Sequence, residues 1–143
     1  MNVSIGNFLR TAKMGTLVLG TPAAEVTALL GEPWRATEDL PIDIWQFGDL
    51  EFNIQDGLIV MIMLVVDSNP ANLPPELHVE DLGEWSGRPM QEVEEWLTTV
   101  GLTTKKRIAV SESASWALPS GASLTLMNGA VDSVSVLDPR IGR

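Results

Sequence analysis

His78 is the only histidine in the chain, so it is the first residue to weigh for acid–base or metal chemistry. It lies between Leu77 and Val79, after a proline-rich stretch, and no nearby pattern supplies the other ligands that a metal site needs. The chain has many serines, but none lies in a nucleophile elbow, and no motif joins a serine to His78 in a triad. We therefore predict no catalytic residue, no metal site and no cofactor.

Carboxylates are densest between Glu76 and Glu95. Paired carboxylates do acid–base work where their surroundings separate the two pKa values. The pattern here is more typical of a solvated surface, and it lacks the ligand spacing and central glycine of a calcium loop. The functional alternative is an electrostatic patch for a basic partner, with Glu80, Asp81 and Glu84 as its binding residues.

The net charge of −10 limits the classes of partner. It disfavours nucleic acid and anionic membranes, and it suits solubility or a basic protein partner. Disulfides, thiolate metal sites and cysteine nucleophiles are excluded because the chain has no cysteine. The first residues lack a signal-peptide pattern and no apolar run is long enough to cross a bilayer, so we expect a cytoplasmic location.

Five tryptophans are many for a chain of 143 residues. Trp45 and Trp116 fall at matching places in predicted strands, and Trp96 lies on a helical stripe, so all three are expected in the core. Trp34 and Trp85 lie in turn-like segments that leave them free to be exposed. Because tryptophan is enriched at interface hot spots, both are predicted binding residues, with core packing as the alternative.

One sequence pattern occurs twice and predicts the helices that would position these residues. The segment Leu17–Trp34 has a pattern of glycine, proline, glutamate and spaced apolar residues that returns in altered form at Ser86–Leu97. Pro22 and Pro89 suit the first position of a helix, where no N–H is needed. The sequence therefore predicts a duplicated helix.

The first copy of this helix shows the expected end signals. Thr21 is predicted to cap its start through the hydroxyl group, and Gly31 suits a left-handed residue at its end. Between them, Val26, Leu29 and Leu30 have the spacing of one apolar stripe.

Strand patterns follow each helix. We predict strands at 42–47, 50–55 and 58–66, and again at 103–110, 113–118, 122–127 and 131–137, with hairpin turns at Asp56-Gly57 and Asn128-Gly129. A plain two-residue second turn would leave serines on the apolar face of the last strand. We therefore expect a β-bulge that places Leu124 and Leu126 with Val134 and Val136.

The strand at 58–66 does not alternate between apolar and polar residues. One copy of the sheet therefore presents apolar side chains where the other presents Ser133 and Ser135. Such a face needs a cover, because large exposed apolar patches mark contact sites. The cover is the rest of the chain, a second subunit or a target protein; the alternative is a strand buried on both sides in the monomer. Methionine suits an adaptable contact, so Met61 and Met63 are predicted binding residues.

A helix followed by an antiparallel sheet, made twice in tandem, resembles the beta-lactamase inhibitory proteins and the small outer-membrane lipoproteins of the barrel assembly machine. The residues that carry the resemblance are Gly20-Thr-Pro-Ala-Ala-Glu-Val and the later Leu-Leu-Gly-Glu-Pro. The resemblance implies a fold in which the inhibitors clasp a partner with a concave sheet surface and the lipoproteins act as scaffolds. This chain has no cysteine that could be lipidated. A broader similarity links it to small acidic toxin-immunity proteins.

These observations predict an α+β fold of two tandem helix-plus-antiparallel-sheet repeats. The first repeat, with an N-terminal segment, takes 1–68, a linker takes 69–84, and the second repeat takes 85–143. The leading function is non-catalytic protein binding, as an immunity or inhibitor protein that masks a basic partner. The alternatives are a small-molecule-binding protein or enzyme with a pocket between the repeats, and one subunit of a structural homodimer.

Overall fold

An eight-stranded antiparallel sheet forms the body of this α+β fold, and the helices pack on one of its faces. The structure is a computed structural model that describes residues 1–39, 41–68, 71–102, 105–110 and 113–140. In chain order, its elements are β1 (Asn2–Val3), α1 (Ile5–Thr11), α2 (Ala23–Leu30), β2 (Arg35–Asp39), β3 (Ile42–Phe47), β4 (Leu50–Gln55), β5 (Leu58–Val65), β6 (His78–Val79), α3 (Leu82–Trp85), α4 (Met90–Thr99), β7 (Lys105–Val110), β8 (Ser113–Ala117), β9 (Ala122–Met127) and β10 (Ala130–Leu137). Of the strand predicted at 103–110, residues 103 and 104 lie outside the described part.

The sheet has the strand order β2-β3-β4-β5-β10-β9-β8-β7. Each half of the chain contributes four neighbouring strands, and β5 pairs with β10 to join the two sets. In the middle of this central seam Met63 pairs with Ser135. Buried residues from both halves of the chain form one hydrophobic core cluster. The predicted segments 1–68 and 85–143 therefore share one sheet and one core.

Both predicted hairpin turns are present. Asp56 and Gly57 have φ values of 53° and 75°, and Asn128 and Gly129 have φ values of 53° and 79°. Such positive values are what a tight two-residue hairpin turn requires, which explains the choice of aspartate, asparagine and glycine.

The predicted β-bulge is confirmed between β9 and β10, where the register shifts between Val131 and Ser133. Leu124 then pairs with Val134 on the helix side of the sheet, as expected, whereas Leu126 pairs with Val131. A similar shift occurs between β4 and β5 at Asn53 and Ile54. Both bulges change the face of the following side chains, because strand side chains alternate with a period of two.

The helices α2 and α4 begin one residue later than predicted. Pro22 and Pro89 are N-cap residues with extended backbone, and neither provides a side-chain cap. Thr21 does not cap α2 either, since its hydroxyl accepts a hydrogen bond from the Val18 N–H at 3.1 Å. The prediction of Thr21 as a cap is therefore wrong.

The hairpin turns take over this capping role. The first helical N–H of α2, at Ala23, donates to the Gly57 carbonyl at 2.8 Å, and that of α4, at Met90, donates to the Gly129 carbonyl at 3.2 Å. Each helix start is thus fixed to the tip of a hairpin, and a free N–H that a helix cannot satisfy internally gains a partner.

The core lies between the helices and the inward face of the sheet. Val26 and Leu30 of α2, and Val93 and Leu97 of α4, are buried there. Leu29 departs from the predicted stripe, because 38% of its surface is exposed. The helical face that meets the sheet is therefore narrower than the sequence pattern indicated.

The segment predicted as a linker at 69–84 is partly folded. Residues 69 and 70 lie outside the described part, but β6 pairs in parallel with β1 and α3 follows it directly. The sequence pattern missed both elements, and it also missed the polar edge strand β2. Within the described ranges, no helix is long and apolar enough to cross a membrane.

Candidate functional site

The sheet face that points away from the helices has no covering element among the described residues, and we call it the open face. Pairing registers place its residues on seven adjacent strands. They are Arg35 and Thr37 on β2; Ile42, Ile44 and Gln46 on β3; Glu51, Asn53 and Gln55 on β4; Met61, Met63 and Val65 on β5; Ser133, Ser135 and Leu137 on β10; Ser123, Thr125 and Met127 on β9; and Ser113, Ser115 and Ala117 on β8. All are half-buried or exposed except Ser133, which is buried.

Apolar side chains lie at the centre of the open face. Met61, Met63 and Val65 are half-buried along β5, and Leu137, which pairs with Met61, is 44% exposed. The inward residues of the same strand, such as Ile62, are fully buried against the helices. The strand is thus covered on one side only, and the alternative of a strand buried on both sides is wrong.

Polar groups surround this apolar centre, and one of them, Glu51 beside Met63, is charged. The outward residues named above on β5, β8, β9 and β10 carry no charge, and half of them are serine or threonine. The carboxylate of Glu51 on β4 accepts a hydrogen bond from Gln46 Nε2 at 3.1 Å. In a chain with net charge −10, the low number of charges on these four strands is a distinctive feature of the open face.

One polar atom of the open face has no partner in the described part of the chain. The Asn53 Oδ1 atom is buried and accepts no hydrogen bond. Its residue pairs with Ile44 on one neighbouring strand and with Met61 on the other. A buried acceptor without a donor costs free energy.

The two ends of the central seam are held by the same kind of bond. At one end the Val66 N–H donates to the Asp132 carbonyl, and at the other the Asp138 N–H donates to the Val60 carbonyl, both at 2.8 Å. Asp132 also lies beside Asp67. Burial and this second carboxylate raise the pKa of Asp132.

The opposite end of the seam carries an ion pair. The Arg140 Nη2 atom lies 2.7 Å from Asp138 Oδ2, and hydrogen bonds from Arg140 lower the pKa of Asp138 to about 2. A cleft of about 370 Å³ adjoins this pair and is lined by residues from both halves of the chain, including Gly20, Gln55 and Leu58. The predicted pocket between the repeats would lie here. Its lining carries the Asp138–Arg140 pair and a further carboxylate, that of Asp56.

The three predicted acidic binding residues differ in their exposure and in their hydrogen bonds. Glu80 and Glu84 are exposed, as a solvated patch requires. Asp81 instead accepts hydrogen bonds from the N–H groups of Ile5 and Gly6, at 2.7 and 3.0 Å. These are the first two residues of α1. Its carboxylate is therefore occupied within the fold, and the prediction of Asp81 as a binding residue is corrected to a structural role.

The two predicted interface tryptophans also differ. Trp34 is 49% exposed, and its N–H donates to the Gln46 carbonyl beside the open face. Trp85 is only 1% exposed, and its Nε1–H donates to Asp81 Oδ2 at 3.1 Å. Its ring packs edge-on against Trp96 with centroids 4.9 Å apart. The expectation that Trp85 is exposed for binding is wrong, because long-range packing buries it.

His78 is exposed on β6. In the ranges that the structure describes, no group of three or more histidine, aspartate or glutamate side chains is placed to hold a metal ion. The side chains brought together with Met61 and Met63 are hydroxyls, amides, apolar groups and one carboxylate, that of Glu51. They suit a contact surface better than a reaction centre.

Comparison with protein-family models, curated proteins and solved structures finds no match to this chain. The resemblance to inhibitory proteins and lipoproteins therefore stays a prediction.

Proposed function

We propose that this chain is a non-catalytic protein-binding module and that the open face is its contact surface. The observation that carries the proposal is the one-sided sheet, with helices on one face and an apolar centre left on the other. Contiguous apolar surface with a polar surround is the usual composition of a binding patch. The half-buried Met61 and Met63 lie at the middle of that patch, where an interface gains most of its free energy.

We also infer that the chain consists of two tandem copies of a unit made of one helix and four strands. The order of elements supports this, since α2 precedes β2–β5 and α4 precedes β7–β10. The equivalent capping bonds to Gly57 and Gly129, and the equivalent bonds at the ends of the seam, support it further. In such a duplication, Met63 and Ser135 are equivalent residues that pair with each other, so an approximate two-fold axis passes between them.

The partner we propose is a basic protein, such as a toxin or enzyme that the module masks. The net charge of −10 would draw a basic surface toward it at long range. Glu80 and Glu84 are exposed and available for this attraction. Contact would then be made by the open face, with the exposed Trp34 beside it as a further anchor.

A capture experiment tests this function. The purified chain is immobilised, lysate of the native host is passed over it, and retained proteins are identified and purified for calorimetry. We expect a basic protein that binds the wild type and binds the Met63→Glu variant at least tenfold more weakly. The control is Leu29→Glu, which adds the same charge at an exposed helical position away from the sheet.

Two outcomes would contradict the proposal. If the captured protein binds both glutamate variants as well as the wild type, the open face is not its contact surface. If the captured molecule is chemically converted by the chain, the module is not a non-catalytic binder. A helix-side site would instead show its largest loss in Leu29→Glu.

A further inference from the structure

We propose that the open face binds an arginine side chain of its protein partner, held by the Glu51 carboxylate and the Asn53 side-chain oxygen. This inference rests on the proposed function, in which a basic protein contacts the open face. It adds the chemical group that the partner presents at the centre of the contact. It also gives the methionine row, Met61 and Met63, a role as the surface on which the stem of that arginine lies.

Glu51 and Asn53 lie beside the methionine row. Across the ladder between β4 and β5, Glu51 pairs with Met63 and Asn53 pairs with Met61. One residue of β4 separates Glu51 from Asn53, so both lie on the same face of the sheet, about 7 Å apart. A partner surface that covers the methionine row therefore also covers this carboxylate and this amide.

The Glu51 carboxylate is half-buried and has no cationic partner in the described part of the chain. The hydrogen bond that its Oε1 atom accepts at 3.1 Å comes from the neutral amide of Gln46. Arg35, described as exposed on β2, lies opposite Gln46 but forms no ion pair with Glu51. Covering this carboxylate costs free energy unless a positive charge accompanies it, because a desolvated charge needs a partner. Charge complementarity thus favours a cationic group opposite Glu51.

The Asn53 Oδ1 atom needs a donor at the neighbouring position. It is buried and accepts no hydrogen bond from the described residues. The residues that pair with it, Ile44 and Met61, have no N–H or O–H group in their side chains. Rotation of the terminal amide, whose torsion has a broad energy minimum, brings Oδ1 toward an arriving donor. An N–H group of the partner would then remove the cost of the unsatisfied acceptor.

Arginine suits these two acceptors better than lysine. Its guanidinium group is planar, always charged, and carries five N–H donors in a fixed fork. One fork can pair with Glu51 and also donate to Asn53, whereas the lysine ammonium group is a compact point charge. The apolar stem of the arginine would lie on Met61 and Met63, whose flexible thioethers adapt to its shape.

An NMR titration of the full chain with three short peptides tests the inference. The probe is acetyl-Leu-Arg-Leu-amide, and two matched peptides carry lysine or citrulline, a neutral analogue of arginine, at the central position. We expect the arginine peptide to shift the side-chain amide signal of Asn53 and the main-chain signals of Glu51 and Met63 saturably, with a Kd in the millimolar range. The citrulline peptide should bind at least tenfold more weakly. Added salt should weaken binding of the arginine peptide, because it screens the ion pair.

Substitutions then locate the site. Glu51→Gln removes the charge and keeps the shape, so the arginine peptide should bind at least tenfold more weakly. Asn53→Leu should also weaken binding, yet it should raise the Tm, because it removes a buried oxygen that lacks a donor. A residue with a structural role alone would not move these two measurements in opposite directions.

The matched control is Glu38→Gln, which makes the same chemical change as Glu51→Gln. Glu38 is exposed on β2, and the strand alternation places it on the other face of the sheet from Thr37. This variant should leave peptide binding unchanged. Circular dichroism and a melting curve establish that each variant is folded.

Three results would overturn the inference. The first is no saturable shift with the arginine peptide at about 20 mM, well above the expected Kd. The second is a lysine or citrulline peptide that binds as tightly as the arginine peptide, since the guanidinium group is then not recognised. The third is binding that folded Glu51→Gln and Asn53→Leu both leave intact. The capture experiment with Met63→Glu tests the proposed function separately, so a partner lost in that variant would keep the open face as a contact surface in all three cases.

Discussion

Asp81 provides the sharpest test of how distant parts of this chain are held together. Its carboxylate accepts hydrogen bonds from the N–H groups of Ile5 and Gly6 and from Trp85 Nε1. The hydroxyl of Ser4 accepts from Asn7 N–H at 3.0 Å, so the two side chains together satisfy the free donors at the start of α1. We predict that Asp81→Ala strongly destabilises the fold, although Asp81 lies outside the open face.

The size of the loss follows from these contacts. A hydrogen bond to a charged group contributes about 1.5–3 kcal/mol, and a buried donor left without a partner costs about 1–3 kcal/mol. The Trp85 donor belongs to a residue that is 1% exposed, so water cannot easily replace the carboxylate there. The start of α1 is only part-buried, so water can recover part of those two bonds. Allowing for non-additivity, we expect a loss of roughly 3–5 kcal/mol in the free energy of unfolding.

Urea unfolding and thermal melts of three variants measure this effect. Asp81→Ala should lower the Tm by about 10–20 °C, given the usual relation between free energy and Tm for a chain of this size. Asp81→Asn keeps one acceptor and should lose less than half as much. Glu80→Ala is the matched control, because Glu80 is exposed and surface changes usually stay within about 0.5 kcal/mol. An Asp81→Ala protein that melts within about 2 °C of the wild type would show that the carboxylate does not stabilise α1.

Three further changes test other parts of the fold. Leu30→Ala should cost about 2–5 kcal/mol in urea unfolding because Leu30 is 3% exposed, whereas Leu29→Ala, at a 38% exposed position, should cost far less; equal losses would contradict the observed helix orientation. Burial and the Asp67 carboxylate raise the pKa of Asp132 above its ordinary 3.8, so the folded chain holds that proton more tightly and loses stability as the pH rises through the raised pKa. Asp132→Asn should therefore raise the Tm at pH 7 and have little effect below about pH 3.8, and a gain of equal size at both pH values would contradict this account. Gly48→Ala should lower the Tm sharply, since an added Cβ would lie 2.0 Å from the Asn72 carbonyl oxygen at a φ of +65°; an unchanged Tm would show that this loop moves aside.

Local signals in the sequence predicted the local parts of the fold. The Asp56-Gly57 and Asn128-Gly129 pairs identified both hairpins because positive φ favours few residue types. Alternation over Leu50–Gln55 gave the bounds of β4. Even the bulge in β10 followed from the need to keep serines off the apolar face. Each of these inferences depended on residues close together in the chain.

Contacts between distant residues were missed for the opposite reason. Ile5 and Asp81 are 76 residues apart, and nothing in their local pattern indicates that one caps the helix of the other. Burial of Trp85 depends on that same contact and on Trp96, so its turn-like surroundings were misleading. The pairing of β1 with β6, and of β5 with β10, likewise has no periodic signature. The candidate site was thus found through Met61 and Met63, whose strand broke the expected alternation.

The contrast between the two central strands argues that the open face is used. Where β10 presents Ser133 and Ser135, the neighbouring β5 presents Val65 and Met63 at the paired positions. A face that only met water would favour hydroxyls on both strands, since they need no cover. Strand propensity can explain valine, but methionine is not among the residues enriched in strands. The methionine row is therefore best explained by burial against another surface.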